Sequence, residues 1–328
     1  MARAWHLMSR PQGLPTDENF ALKEFDLPPL GEGQVRVRNQ WLSVDPYMRG
    51  RMNDVKSYVP PFQIDQPMEG GAIGEVVEST AEGFAPGDGV LHMGGWRDEA
   101  VLDARAVNKL PNLGAEPQAF LGNLGVTGAT AYFGLLDVAS AKAGDIVFVS
   151  AAAGAVGSAV VQIAKAKGMT VVGSAGGADK CEFVRSLGAD AAIDYSDGPI
   201  VKSLAAAAPK GIDVYFDNVG GDHLDAALAL ARNHARFAIC GMIDSYNSGQ
   251  PMALRYILRI IAARIRIQGF LFTDYMPRMG EFYAEMAPWI ASGRVKSRDT
   301  IVEGLDRMPE AFFGLFEGAN TGKMLVKL

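Results

Sequence analysis

The sequence predicts an α/β protein, a doubly wound parallel sheet that follows a β-rich amino-terminal domain. Three observations carry this. Residues 145–180 read as a single strand–turn–helix–strand unit. Strands and helices alternate from about Ala119 onward. Residues 1–120, by contrast, are dense in glycine, proline and short alternating runs.

Ile146 to Val149 is a short apolar run rich in β-branched residues, as expected of a strand buried on both faces of a parallel sheet. A turn of small residues follows, Ser150 to Gly157. Ser158-Ala-Val-Val-Gln-Ile-Ala-Lys-Ala-Lys then reads as a helix closed by Gly168, and Thr170-Val-Val-Gly-Ser opens a second strand. The turn has the spacing Ala151-x-x-Gly154-x-x-Gly157, with alanine where a glycine usually comes first. Its physical requirements survive: a diphosphate must approach the backbone, helix and strand must pack closely, and free N–H groups at the helix start must face an anion. Taken alone, such a turn is also open to a reading as plain tight packing.

The chain has 328 residues, enough for about two domains of ~150 residues. With 48% hydrophobic and 21% charged residues it is composed like a globular protein with a large core. The net charge is −6 and no long basic run exists, which argues against nucleic acid as a partner. Met1-Ala-Arg-Ala-Trp-His contains no apolar signal core, and no stretch reaches the ~18 apolar residues of a membrane span. The expectation is a cytoplasmic protein without a membrane partner. Its two cysteines, Cys181 and Cys240, read as buried thiols rather than a disulfide.

In the first 120 residues, Gln34-Val-Arg-Val-Arg-Asn alternates like a half-buried strand. Gly70-Gly-Ala-Ile-Gly-Glu-Val-Val-Glu and Gly89-Val-Leu-His-Met are further strands around the turn Ala85-Pro-Gly-Asp-Gly. Beyond the central unit, strands are expected at Ala191–Tyr195, Ile212–Asn218, Arg236–Gly241 and Arg266–Leu271, six in all with the first two. A helix near Arg307–Phe316 and a strand from Lys323 return the chain to the first domain. Leu254 to Arg266, with four arginines, reads as a basic amphipathic helix, either a solvated face or a surface for a membrane or an acidic substrate tail.

Five motifs, in order along nearly the whole chain, carry a resemblance. They are Leu42-Ser-Val-Asp-Pro-Tyr47-Met-Arg, Ala151-Ala-Ala-Gly-Ala-Val-Gly157, Phe216-Asp-Asn-Val-Gly-Gly221, Cys240-Gly-Met-Ile-Asp-Ser-Tyr246-Asn and Asn320-Thr-Gly-Lys. The chain resembles the zinc-independent branch of the medium-chain dehydrogenase/reductase superfamily, which contains leukotriene B4 12-hydroxydehydrogenase/prostaglandin reductase and the NADPH-dependent alkenal and curcumin reductases. The resemblance implies a Rossmann dinucleotide-binding domain at 121–292 inserted into a GroES-like substrate domain of 1–120 plus 293–328. It also implies a homodimer, the cofactor NADP(H), and reduction of the carbon–carbon double bond of an α,β-unsaturated ketone or aldehyde. Zinc enzymes of the superfamily place cysteine and histidine ligands in the first domain. Here no cysteine precedes Cys181, and their Gly-His-Glu motif falls on Glu69-Gly70-Gly71. No metal is therefore expected, and His6, His92, His223 and His234 read as structural.

The same resemblance assigns site residues. Gly154, Ala155, Val156 and Gly157 would face the diphosphate. The second strand's tip, Ser174-Ala-Gly-Gly, lacks the acid that an NAD site offers to the ribose. Lys180 would pair with a 2′-phosphate as a point charge, with Ser174 and Tyr195 beside it; Asp179, next to it, could instead hold an NAD ribose. Asn218, Cys240, Gly241, Met242, Ile243, Tyr246, Phe270, Leu271, Phe272 and Asn320 would contact the cofactor, the last four at the nicotinamide. Several have plainer readings: Asn218 as a cap, Cys240 as an inert thiol, the phenylalanines as core, Asn320 as a turn residue. Tyr246 and Tyr47 are the catalytic candidates, phenols that donate to a developing enolate oxygen. Rival readings are a quinone reductase, a secondary-alcohol dehydrogenase, and a non-catalytic NADPH-binding protein like certain lens crystallins.

Overall fold

The computed structural model describes residues 1–328 and divides into two compact units, Met1–Leu121 with Asp299–Leu328, and Gly122–Arg298. In the first, β1 (Ala2–Leu7) and β2 (Phe20–Phe25) form an antiparallel pair. β3 (Gln34–Ser43) leads through Pro46 into the short helix α1 (Tyr47–Arg51). Four strands follow: β4 (Ala72–Ser79), β5 (Gly89–His92), β6 (Glu99–Asp103) and β7 (Asn108–Lys109).

The second unit begins with α2 (Val126–Phe133), which ends in a π-turn over Gly134–Val138. The alternation expected from the sequence follows. The strands are β8 (Ile146–Val149), β9 (Thr170–Ala175), β10 (Ala191–Asp194), β11 (Ile212–Asp217), β12 (Ala231–Ile239) and β13 (Arg266–Gly269). Between them run α3 (Ala155–Ala166), α4 (Ala178–Ser186), α5 (Ile200–Ala207), α6 (Gly221–Leu230) and α7 (Arg259–Ala263), and α8 (Met279–Ala291) follows β13. All six strands are parallel, in the order β10-β9-β8-β11-β12-β13. The order reverses direction next to β8, so the ends of β8 and β11 form the switch point where open α/β sheets bind ligands. Val147, Phe148 and Val149 are fully buried, as a strand covered on both faces requires. In the core Phe148 stacks on Tyr215 with ring centroids 5.1 Å apart, and Tyr215 meets Phe237 edge-on at 5.4 Å.

After α8, the stretch up to Arg298 stays with this unit. Val295 is buried, and Gln162 and Asn123 hold the Lys296 backbone through bonds of 2.7–3.1 Å. Then β14 (Asp299–Glu303), α9 (Met308–Glu317) and β15 (Lys323–Lys327) complete the first unit. Its sheet runs β14-β15-β3-β4-β5-β7, and β6 pairs with the first half of β3 along the edge that β15 takes at Trp41–Ser43. β15 pairs antiparallel with β3, Leu325 opposite Ser43. Trp96, fully buried, centres its core: it stacks on Phe20 at 5.9 Å, meets Phe312 edge-on and donates Nε1–H to the Met48 sulfur.

Residues 254–266 depart from the expected helix. Only Arg259–Ala263 is helical, and Arg264, with φ +51°, ends it in the left-handed conformation. Arg255, Arg264 and Arg266 are exposed, as a solvated face requires, yet the arginines also have separate partners. Arg255 pairs with Asp222 and Asp225, Arg259 donates to the Ala231 carbonyl, and Arg266 donates to the Val138 carbonyl. Apolar side chains face outward beside them, Leu258 at 75% and Ile261 at 78% exposure. Periodicity suggested a helix, but the arginines' separate backbone and carboxylate partners set the local path.

Candidate active site

The turn after β8 is built as a diphosphate cradle must be. Ala151 takes φ +47°, a left-handed conformation that costs a residue with a Cβ about 1–2 kcal/mol and that a glycine would adopt freely. A Cβ on Gly157 would strike the Ala151 carbonyl, so that position must be glycine for α3 to pack on the turn. Gly154 is the N-cap of α3, and no side chain caps the helix, so its first N–H groups are open to an anion.

The tip of β9 and the start of α4 and β10 come together. Ser174 is fully buried and its hydroxyl has no partner. Tyr195 follows β10, and its hydroxyl rests against Gly176, where a Cβ would lie 2.7 Å away. Lys180 lies in the first turn of α4, and burial holds its ammonium below the ordinary lysine value. Asp194 accepts from the Gly177 and Ser196 amides at 3.0 Å each, which ties the start of α4 to the end of β10.

At the switch point a residue that sequence reasoning passed over organises the edge. Asp217 is fully buried and its Oδ1 accepts from Tyr215 Oη (2.7 Å), Gly220 N (2.8 Å), Val219 N (2.9 Å) and Ser150 Oγ (3.3 Å). Its carbonyl accepts from the Cys240 and Gly241 amides. Burial raises its carboxyl above the usual range, and the surrounding donors oppose that rise. Asn218 acts as a bracket, its Nδ2 donating to the Ser150 carbonyl (2.8 Å) and its amide to Ser150 Oγ (2.9 Å). The signal was present in Phe216-Asp-Asn-Val-Gly-Gly, where an acid sits at the end of an apolar strand.

From Cys240 the chain enters the Gly241–Tyr246 loop. Burial, with Asp217 adding to it, pushes the Cys240 thiol up to about 12, so it stays un-ionised. Ile243 opens a 3-10 turn, and the Tyr246 hydroxyl curls back to accept from the Met242 amide at 3.3 Å. A phenol oxygen that accepts one N–H keeps its own proton to give. Phe270 is committed to packing: it meets Phe216 edge-on at 6.2 Å and fills the space left by Gly134, so it is the backbone of Phe270, Leu271 and Phe272 that can address a ligand.

In the other unit, Tyr47 is the first residue of α1, and burial and then Asp45 hold its phenol well above the usual tyrosine value, so it is a neutral donor. Lys323, almost fully buried, donates to Asp45 Oδ1 and to the Val44 carbonyl, both at 2.8 Å. Arg51 donates to Glu69 at 2.8 Å. Asn320 donates to the Gly322 carbonyl within its turn. Burial holds His92 and His223 down to about 4, and no three His, Cys, Asp or Glu side chains are grouped to hold an ion.

A six-stranded parallel sheet with a dinucleotide turn at its switch point, carried with a β-rich unit, defines a nucleotide-dependent dehydrogenase or reductase of the medium-chain class. Comparison agrees. Residues 3–110 match the family model for the N-terminal domain of oxidoreductase, and residues 155–292 that for zinc-binding dehydrogenase. The NADPH-dependent curcumin reductase of Escherichia coli is 43% identical over 333 residues, covering 99% of this chain and 96% of that one. Mouse prostaglandin reductase 1 is 38% identical over 332 residues, covering 99% of each. The crystal structure of CurA from Vibrio vulnificus superposes with a TM-score of 0.93 at 43% identity, covering 100% of this chain and 98% of that one. CurA in complex with NADPH gives 0.94 at 44%, covering 99% and 98%. The chain belongs to the zinc-independent medium-chain dehydrogenase/reductase family that includes these reductases.

Proposed function

We propose that this protein is an NADPH-dependent reductase of the carbon–carbon double bond in α,β-unsaturated ketones and aldehydes. The observation that carries the reading is full-length likeness, at 43–44% identity, to an NADPH-dependent curcumin reductase and to CurA in complex with NADPH. The second unit serves as the dinucleotide domain and the first as the substrate domain.

The residues fit NADP(H). The uncapped start of α3 at Gly154, Ala155, Val156 and Gly157 suits a diphosphate. The buried, partnerless Ser174 hydroxyl calls for a polar ligand atom. Lys180, whose charge burial disfavours, gains from a 2′-phosphate; Tyr195 completes that end. Asn218, Cys240–Ile243, Phe270–Phe272 and Asn320 are the groups for the nicotinamide end. Bound there, the reduced nicotinamide supplies the hydride that the β-carbon receives.

The chain's own work is to manage the oxygen at the far end of the conjugated system. Negative charge builds on it as the β-carbon is reduced, and preorganised donors lower that barrier. Tyr246 holds a proton on a hydroxyl already oriented by the Met242 amide. Tyr47 holds one because burial and Asp45 disfavour its anion. Either phenol, or solvent, protonates the α-carbon. The test is turnover of an enal, an enone and a quinone with NADPH and with NADH. Enone reduction favouring NADPH is expected; turnover of the quinone alone would replace this reading by a quinone reductase.

A second copy of the chain is the proposed partner, joined along β13. That strand closes the sheet, all four of its residues are exposed, and Leu258, Ile261 and Ile267 lie open on the same stretch at 75, 78 and 37%. Light scattering should report a dimer that Ile261→Glu converts to monomer; a monomeric wild type would sink the idea. The two free cysteines fit the reducing cytoplasm as its location, and no helix is long and apolar enough to cross a membrane.

A further inference from the structure

The loop that carries Tyr246 takes its shape from the chain it lies on. Its backbone amides donate to three successive carbonyls at the end of β11. Cys240 and Gly241 donate to Asp217 at 2.9 and 3.1 Å, Ile243 to Asn218 at 3.3 Å, and Asp244 to Val219 at 3.1 Å. The tyrosine closes back over the same place. A Cβ on Gly241 would lie 3.1 Å from the Tyr246 hydroxyl, which accepts from the Met242 amide.

That strand end is itself held to one shape by the Asp217 carboxylate. Its Oδ1 draws in the Val219 and Gly220 amides, and the chain then turns into α6 through Gly220 and Gly221, at φ +76° and +50°. Positive φ there favours glycine, and so does the loop packed on the corner. A Cβ on Gly220 would come within 3.1 Å of Met242, and one on Gly221 would strike the Asp244 carboxylate. Tyr215 Oη on β11 and Ser150 Oγ after β8 fix the carboxylate in turn. An unbroken series of contacts thus runs from Asp217 through the Gly220–Gly221 corner to Met242 and the Tyr246 hydroxyl.

We propose that Asp217 is a positioning residue for the reaction, one that sets where the Tyr246 hydroxyl stands by fixing the corner on which its loop rests. The inference rests on the reading of Tyr246 as a donor to the substrate oxygen. A donor to a developing oxyanion helps only when it is already in place, and a misplacement of about 1 Å can cost about a hundredfold. Here the loss is bounded by that of removing the phenol altogether, about tenfold.

The experiment is a double-mutant cycle on kcat for 3-buten-2-one at saturating NADPH, with NADPH affinity measured separately. Asp217→Ala should lower kcat roughly five- to tenfold in the wild type, and less than about twofold in Tyr246→Phe, because an absent donor cannot be misplaced. Asp217→Asn keeps an oxygen acceptor and should restore kcat to within about threefold of the wild type. Gly220→Ala leaves the carboxylate but crowds Met242; it should show the same dependence on Tyr246, and it carries the test if Asp217→Ala does not fold. Equal losses in the two backgrounds, or a loss confined to NADPH affinity, overturn the assignment and leave Tyr246 standing as a donor. A wild type inert toward the enone, or full kcat in Tyr246→Phe, overturns the donor reading and this inference with it.

Discussion

The carboxyl edge of the parallel sheet and the α1 corner both keep polar groups out of water, but they are made of different materials. At the sheet edge one carboxylate, Asp217, gathers backbone amides and two hydroxyls, most of them within three residues of it. At the α1 corner, long cationic side chains reach across the unit, and Lys323 meets Asp45 from 278 residues away. The first arrangement is redundant, with several donors sharing one acceptor. In the second each cation has one carboxylate, Lys323 with Asp45 and Arg51 with Glu69, and the strength of each ion pair depends on how dry it is.

The comparison can be broken most severely at its driest pair. Lys323 and Asp45 expose 4% and 18% of their side chains, and Lys323→Met leaves the carboxylate without its cation. Breaking such a pair should cost about 3–5 kcal/mol of unfolding free energy, measured by urea titration. A loss under about 1 kcal/mol would mean that solvent already reaches Asp45.

The next effect falls on catalysis, through the two proposed phenol donors. Tyr246→Phe and Tyr47→Phe should each lower kcat on an enone about tenfold, and together by about a hundred- to a thousandfold, the size of loss seen when an enzyme is deprived of an oxyanion donor it depends on. NADPH affinity, measured separately, should hardly move. Full kcat in the double variant would refute both assignments. At the adenosine end, Lys180→Ala removes a charged partner worth ~1.5–3 kcal/mol, so NADPH should bind roughly ten- to a hundredfold more weakly and NADH about as before. Equal weakening of both cofactors would make Lys180 structural and bring Asp179 forward as a ribose ligand.

The smallest effect returns to the α1 corner. Glu69 exposes 53% of its side chain, and without it Arg51 keeps its place 4.1 Å over the Phe62 ring and its bond to the Pro60 carbonyl. Glu69→Gln should therefore change stability by no more than about 1 kcal/mol. A larger loss would show that the corner depends on the ion pair and not on stacking.

What could be read in the sequence follows the same division. The six strands were legible because parallel strands covered on both faces are written as apolar runs, Ile146 to Val149 being the plainest. The dinucleotide turn was legible because its small residues are consecutive, even with Ala151 in place of a glycine. Residues 254–266 misled because their apolar spacing resembles a helix, whereas the path is set by separate partners for Arg255, Arg259 and Arg266. Asp45, Lys323 and Asp217 stood in motifs that showed nothing of their burial or partners, and Arg51 stood in none. Burial of a charged side chain is decided by what folds over it, and for Lys323 and Asp45 that is chain 278 residues apart.

The pairing of β15 with β3 has a consequence for how the protein is made. A ribosome adds about 5–20 residues per second, so the 278 residues from Asp45 to Lys323 take roughly 14–56 s to synthesise. Throughout that interval the edge of β3 that will receive β15 is bare, while the Gly122–Arg298 unit is already emerging whole. The amino-terminal unit thus completes its sheet only when the last strand has been made, whereas the dinucleotide unit is one continuous stretch of chain.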